Sequence, residues 1–182
     1  YLEIHPSGRF LYAVNENTEG EVSAFAINSS NGRLEPLNRR SAHGSAPCHI
    51  CIDATGRCAL IANYGSGNIC AYTIGADGHL SEASTNIQHQ GASIDPGRQQ
   101  GPHAHSINID PDNRFAFAAD LGLDQVLVYR IDTARGQLTS HDPPMVQVAG
   151  GQGPRHFDFH PSNRFAYLIN ETRPGEVVSI DV

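Results

Sequence analysis

Three ionisable residues of different kinds, His105, Arg155 and Glu171, carry the chemistry this chain could perform. A neutral imidazole can take a proton from water near neutral pH. A guanidinium fork can hold a carboxylate, a phosphate or a developing oxyanion. A carboxylate sixteen residues beyond Arg155 can orient that arginine or assist proton transfer. Such a trio suits acid–base chemistry on an anionic small molecule. It draws attention because His105 and Arg155 each break the repeat at their position.

The repeat is a twelve-residue block that occurs four times. His5-Pro-Ser-Gly-Arg-Phe-Leu-Tyr-Ala-Val-Asn-Glu16 returns as Asp53-Ala-Thr-Gly-Arg-Cys-Ala-Leu-Ile-Ala-Asn-Tyr64. It returns again as Asp110-Pro-Asp-Asn-Arg-Phe-Ala-Phe-Ala-Ala-Asp-Leu121 and His160-Pro-Ser-Asn-Arg-Phe-Ala-Tyr-Leu-Ile-Asn-Glu171. The anchoring residues Arg9, Arg57, Arg114 and Arg164 stand 48, 57 and 50 residues apart. Periods of about 40–50 residues built from short strands mark β-propeller blades. The fold expected is therefore all-β, a propeller of four-stranded antiparallel blades. The blades fall near 1–43, 44–100, 101–150 and, in part, 151–182, one incomplete domain of about three and a half blades.

The third repeat shows the strands most cleanly. A first strand near His105–Asp110 alternates apolar residues, then turns at Pro111–Arg114. A second runs Phe115–Asp120, a third Gln125–Ile131, and a more polar fourth follows Thr133–Leu138. Glu21–Ile27 and Asn68–Ile74 are the matching third strands, each followed by an Asn-Gly or Asp-Gly turn that supplies positive φ. The turn arginines recur in every repeat, so they are expected to bond turn carbonyls or a neighbouring blade.

Antiparallel pairing puts the start of each first strand beside the end of each second strand. In a propeller that rim surrounds the central channel. The first-strand position holds Cys48, His105 and Arg155; the second-strand position holds Glu16, Tyr64, Leu121 and Glu171. Simple alternation puts His105 on one face with Ile107 and Ile109, and Arg155 with Phe157 and Phe159. It also turns His156 away from Arg155. His103, His156 and Glu16 are secondary candidates for holding substrate, Glu16 lying far around the ring. His103 and His105 form an HxH on one strand face that resembles a metal pair, but no third ligand stands out and no metal or other cofactor is expected.

Whole-chain properties exclude other classes. A net charge of −7 argues against a nucleic-acid partner. No apolar run approaches the ~20 residues that span a bilayer. All twelve basic residues are Arg, so neither a Schiff-base nor a P-loop lysine is present. Cys48 and Cys51 read CxxC, yet on a strand residues three apart face opposite ways and cannot easily chelate. Free thiols favour a reducing compartment, here the cytoplasm. The chain opens on Tyr1 and closes within a strand, as expected of a piece of a longer ring.

Gly101-Pro-His-Ala-His-Ser106, Gly153-Pro-Arg-His156 and Asn170-Glu171, set among the repeats, resemble the lactonase family of seven-bladed propellers. That family includes 6-phosphogluconolactonases and 3-carboxymuconate-lactonizing enzymes. The resemblance implies a channel-mouth site whose catalytic His, Arg and Glu fall on His105, Arg155 and Glu171, with a further Arg from a later blade. It implies a small anionic lactone as partner. Hydrolysis of 6-phosphogluconolactone is the leading expectation. Cyclisation of 3-carboxy-cis,cis-muconate is the alternative, and a non-catalytic binding scaffold is a third reading. A metal-dependent propeller ranks last, because Arg cannot ligate a metal. Oligomeric state is left open.

Overall fold

The computed structural model describes residues 1–172 and 177–181. Those residues form strands and turns only, arranged as four antiparallel sheets. The first contains β1 (Leu2–Ile4), β2 (Phe10–Asn15), β3 (Glu21–Ile27) and β4 (Leu34–Ser41). The second contains β5 (Pro47–Ile52), β6 (Cys58–Asn63), β7 (Asn68–Ile74) and β8 (Leu80–Gln88). The third contains β9 (Ala104–Ile109), β10 (Phe115–Asp120), β11 (Gln125–Asp132) and β12 (Gln137–Gln147). The fourth pairs β13 (Pro154–Phe159), β14 (Phe165–Asn170) and β15 (Val177–Asp181). Strands lie in chain order within each sheet, and β1, β5, β9 and β13 pack side by side along a common axis.

Apolar side chains stack between neighbouring sheets. Phe10, Tyr12, Ile50, Ile61 and Tyr72 fill the space between the first two sheets. Leu60, Ala62, Ile107 and Tyr129 fill the next, and Phe117, Val128, Phe157 and Leu168 the third. Phe117 and Phe157 stack with centroids 5.4 Å apart. Burying each such side chain contributes about 1.5–3 kcal/mol, so sheet-to-sheet stacking dominates stability.

The repeated turn has a physical reason. Its fourth position is left-handed in every copy: Gly8 (φ 68), Gly56 (φ 71), Asn113 (φ 56) and Asn163 (φ 57). Glycine and asparagine tolerate that region best. The first position caps the turn. Asp53 and Asp110 accept the amides of Arg57 and Arg114 at 2.6 Å, and His5 and His160 bind the Ser7 and Ser162 hydroxyls at 2.8 Å. Among the described residues the turn arginines make no bond to turn carbonyls. Arg9, Arg114 and Arg164 instead lie 4.9–5.5 Å above the rings of Phe10, Phe115 and Phe165, where the quadrupole attracts a cation. Arg114 also pairs with Asp110 and Asp112.

At the opposite rim every complete first strand is bulged. Pro47 opposes Asn63 but His49 opposes Ala62, Ala104 opposes Asp120 but Ser106 opposes Ala119, and Pro154 opposes Asn170 but His156 opposes Ile169. The extra residues are Cys48, His105 and Arg155. A bulge leaves its extra residue out of the ladder and re-aims it.

Candidate functional site

The bulges overturn three expectations that rested on strict alternation. His105 does not share a face with Ile107 and Ile109; those two pack toward the second sheet, while His105 reaches the fourth. His156 does not turn away from the site, because its ring lies 5.6 Å from that of His105 and Arg155 acts on its charge. Cys48 and Cys51 do not face opposite ways. Cys48 Sγ sits 3.2 Å from the His105 carbonyl and Cys51 packs beside Ile109, so both look toward β9. The four cysteines are unpaired, and burial pushes the Cys48 thiol up to about 12.

His105, Arg155 and Glu171 meet. The Glu171 amide donates to the Gly153 carbonyl at 2.8 Å, which closes the β13–β14 ladder and sets the carboxylate beside Arg155. Arg155 Nε lies 2.9 Å from Glu171 Oε2 and donates to His105 Nε2 at 3.3 Å. His105 Nε2 is 3.4 Å from the same Oε2. The accepted bond marks Nε2 as the unprotonated ring nitrogen, its lone pair directed at Arg155.

Electrostatics poise each group. Burial pushes His105 below the ordinary imidazole value of 6.5, and the positive charge of Arg155 adds to this against its own backbone carbonyl, Glu171 and Glu16. The ring is therefore neutral near pH 7. Burial pushes the Glu171 carboxyl up, but bonds and charges from Arg98, His105 and Arg155 outweigh it and hold the group below its ordinary 4.5. His49, its ring tilted against that of Tyr1 at 4.3 Å, is pushed down to about 3 by burial and by the neighbouring His156 and His105.

The secondary candidates fall at different depths. His103 precedes β9 instead of sharing a strand face with His105. Its Nδ1 lies 2.8 Å from the Tyr64 carbonyl and its ring stacks on Tyr64 at 4.7 Å. Glu16 is exposed just beyond β2 and makes no ion pair among the described residues, although its charge reaches Cys48 and His105. No group of three or more metal-ligating side chains occurs among the described residues.

Arg98 escaped the sequence reading. It sits in the connection 89–103, which is far longer than the equivalent links 42–46 and 148–153. Its Nη2 donates to Glu171 Oε1 at 2.7 Å and to the Tyr64 hydroxyl at 3.1 Å. Buried bonds fix the connection. His89 Nδ1 lies 2.6 Å from Asp120 Oδ2 with both side chains fully buried, and Gln99 Nε2 donates to the Leu121 carbonyl at 2.8 Å. The Ser93 hydroxyl donates to Asp124, which also accepts the Gly151 and Gly153 amides at 2.7 Å. Asp124 thus ties the loop that carries Arg98 to the segment that carries Arg155. The available signal was the 57-residue spacing between Arg57 and Arg114, the longest of the three.

Radially stacked antiparallel sheets whose bulge residues converge at one rim define a β-propeller with a channel-mouth site. Residues 1–180 match the family model described as lactonase, 7-bladed β-propeller, and the chain belongs to that family. It is 31% identical to 6-phosphogluconolactonase of Bacillus subtilis strain 168, over 100% of this chain and 50% of that protein. The structure of a candidate 6-phosphogluconolactonase from Bacteroides fragilis superposes with a TM-score of 0.94 at 37% identity, over 100% of this chain and 52% of that one. The periplasmic gluconolactonase PpgL of Pseudomonas aeruginosa superposes with a TM-score of 0.89 at 31% identity, over 100% and 55%. The chain spans about half the length of the relatives it matches.

Proposed function

We propose that the protein hydrolyses a sugar lactone at this rim, with 6-phosphogluconolactone as substrate. The observation that carries the reading is the contact of a neutral His105 with Arg155 and Glu171 through one shared oxygen, within 3.4 Å. His105 Nε2 takes a proton from water as the water oxygen attacks the lactone carbonyl. Arg155 faces the tetrahedral oxyanion. Glu171 holds Arg155 and stabilises the imidazolium that forms. That imidazolium returns its proton to the departing ring oxygen, giving the open hydroxy acid. His103, His156 and Glu16 line the approach and contribute to holding the substrate. The names of the relatives support the lactone class, and the similar gluconolactonase PpgL is periplasmic, so membership alone assigns no compartment.

The test is hydrolysis of 6-phosphogluconolactone against its spontaneous background, using the protein in its complete natural form. The expected rate stands well above background and collapses in Arg155→Ala. A rate at background would reject this substrate.

A further inference from the structure

We propose that Arg98 recognises a second, anionic group on the substrate, so that the site selects a lactone bearing a phosphomonoester over a neutral one. The inference rests on the lactonase reading and deepens it. Three observations carry it. First, Glu171 is bracketed: Arg98 holds Oε1 at 2.7 Å and Arg155 holds Oε2 at 2.9 Å. Two cations share one carboxylate beside a neutral imidazole, so Glu171 alone does not balance both arginines. Second, both bonds that the Arg98 side chain makes among the described residues run through Nη2, and that side chain is 42% exposed. The other guanidinium donors remain for a ligand. Third, the connection 89–103 does not depend on the guanidinium for its shape. His89, Ser93 and Gln99 anchor it to Asp120, Asp124 and Leu121.

An arginine held out on an anchored arm, across a carboxylate from the arginine that meets the carbonyl, suits a substrate with two oxygen-rich ends. A phosphomonoester carries close to two negative charges near neutral pH and offers oxygens matched to guanidinium forks. A neutral sugar lactone offers only hydroxyls there.

The experiment compares wild type, Arg98→Gln and Arg98→Lys on 6-phosphogluconolactone and on glucono-δ-lactone. A parallel calorimetric titration uses the products, 6-phosphogluconate and gluconate. Arg98→Gln is expected to lose about tenfold or more kcat/KM on the phosphorylated lactone beyond whatever it loses on the neutral one, mostly through KM. Arg98→Lys should recover part of that difference. Equal losses on both lactones would overturn the proposal and reduce Arg98 to a support for Glu171. If wild type hydrolyses neither lactone, the lactonase reading fails while the titration still decides this one. A preference for 6-phosphogluconate over gluconate that vanishes in Arg98→Gln supports it, and a preference that persists overturns it.

Discussion

The two rims of these sheets repeat in opposite ways. At the turn rim both backbone and side chains recur: a left-handed fourth residue, a capping Asp or His, and, in three of the four copies, an arginine over the following phenylalanine. At the bulge rim only the backbone recurs. The same one-residue slip presents Cys48, His105 and Arg155 in turn. A bulged residue sits outside the ladder, so its side chain can change without disturbing strand pairing. One rim is therefore occupied with folding, and the other repeats a socket whose contents are free to become chemistry.

Substitutions can break that contrast. The largest expected effects are at the bulge rim. Arg155→Ala should lower kcat by about 10²–10³ with little change in melting temperature, as seen when an oxyanion donor is removed. An equal loss of stability would erase the distinction between the rims. Next in size is the turn rim. Asp53 is fully buried and accepts the Arg57 and Cys58 amides at 2.6 and 2.7 Å. Asp53→Ala should cost about 2–3 kcal/mol in denaturant unfolding and leave KM near its original value.

His49 gives an effect that depends on pH. Its pKa in the fold is near 3, against 6.5 for an unperturbed imidazole. Between those values the unfolded chain binds the extra proton, so stability rises with pH across that window and is lost as pH falls through it. His49→Leu should remove a slope of up to about 1.4 kcal/mol per pH unit there. An unchanged slope in unfolding curves from pH 4 to 6 would rule out this role. The smallest effect belongs to the turn arginines: Arg9→Ala should cost about 0.5–1 kcal/mol and spare activity.

How much of this was legible in the sequence differs between the same two rims. The second strand Phe115–Asp120 and the third strands Glu21–Ile27 and Asn68–Ile74 were readable to the residue, because alternation and turn chemistry repeat. The meeting of His105, Arg155 and Glu171 was readable as a shared rim. The bulges were not, because a one-residue slip leaves no mark on composition. Alternation consequently put His105 beside Ile107 and turned His156 away. Arg98 was hidden for another reason. Its partners Tyr64 and Glu171 lie just beyond strands of other sheets, and an irregular connection carries no period that would reveal them.

The central claim, that a bulged neutral histidine drives lactone hydrolysis, is tested most directly by the pH profile of kcat/KM for 6-phosphogluconolactone after subtraction of the spontaneous rate. Wild type should lose activity only as pH falls below the ordinary imidazole value of 6.5, because burial and Arg155 hold His105 unprotonated to lower pH. His105→Ala should flatten the profile at background. A mutant that keeps the wild-type rate and its acid limb would contradict the account.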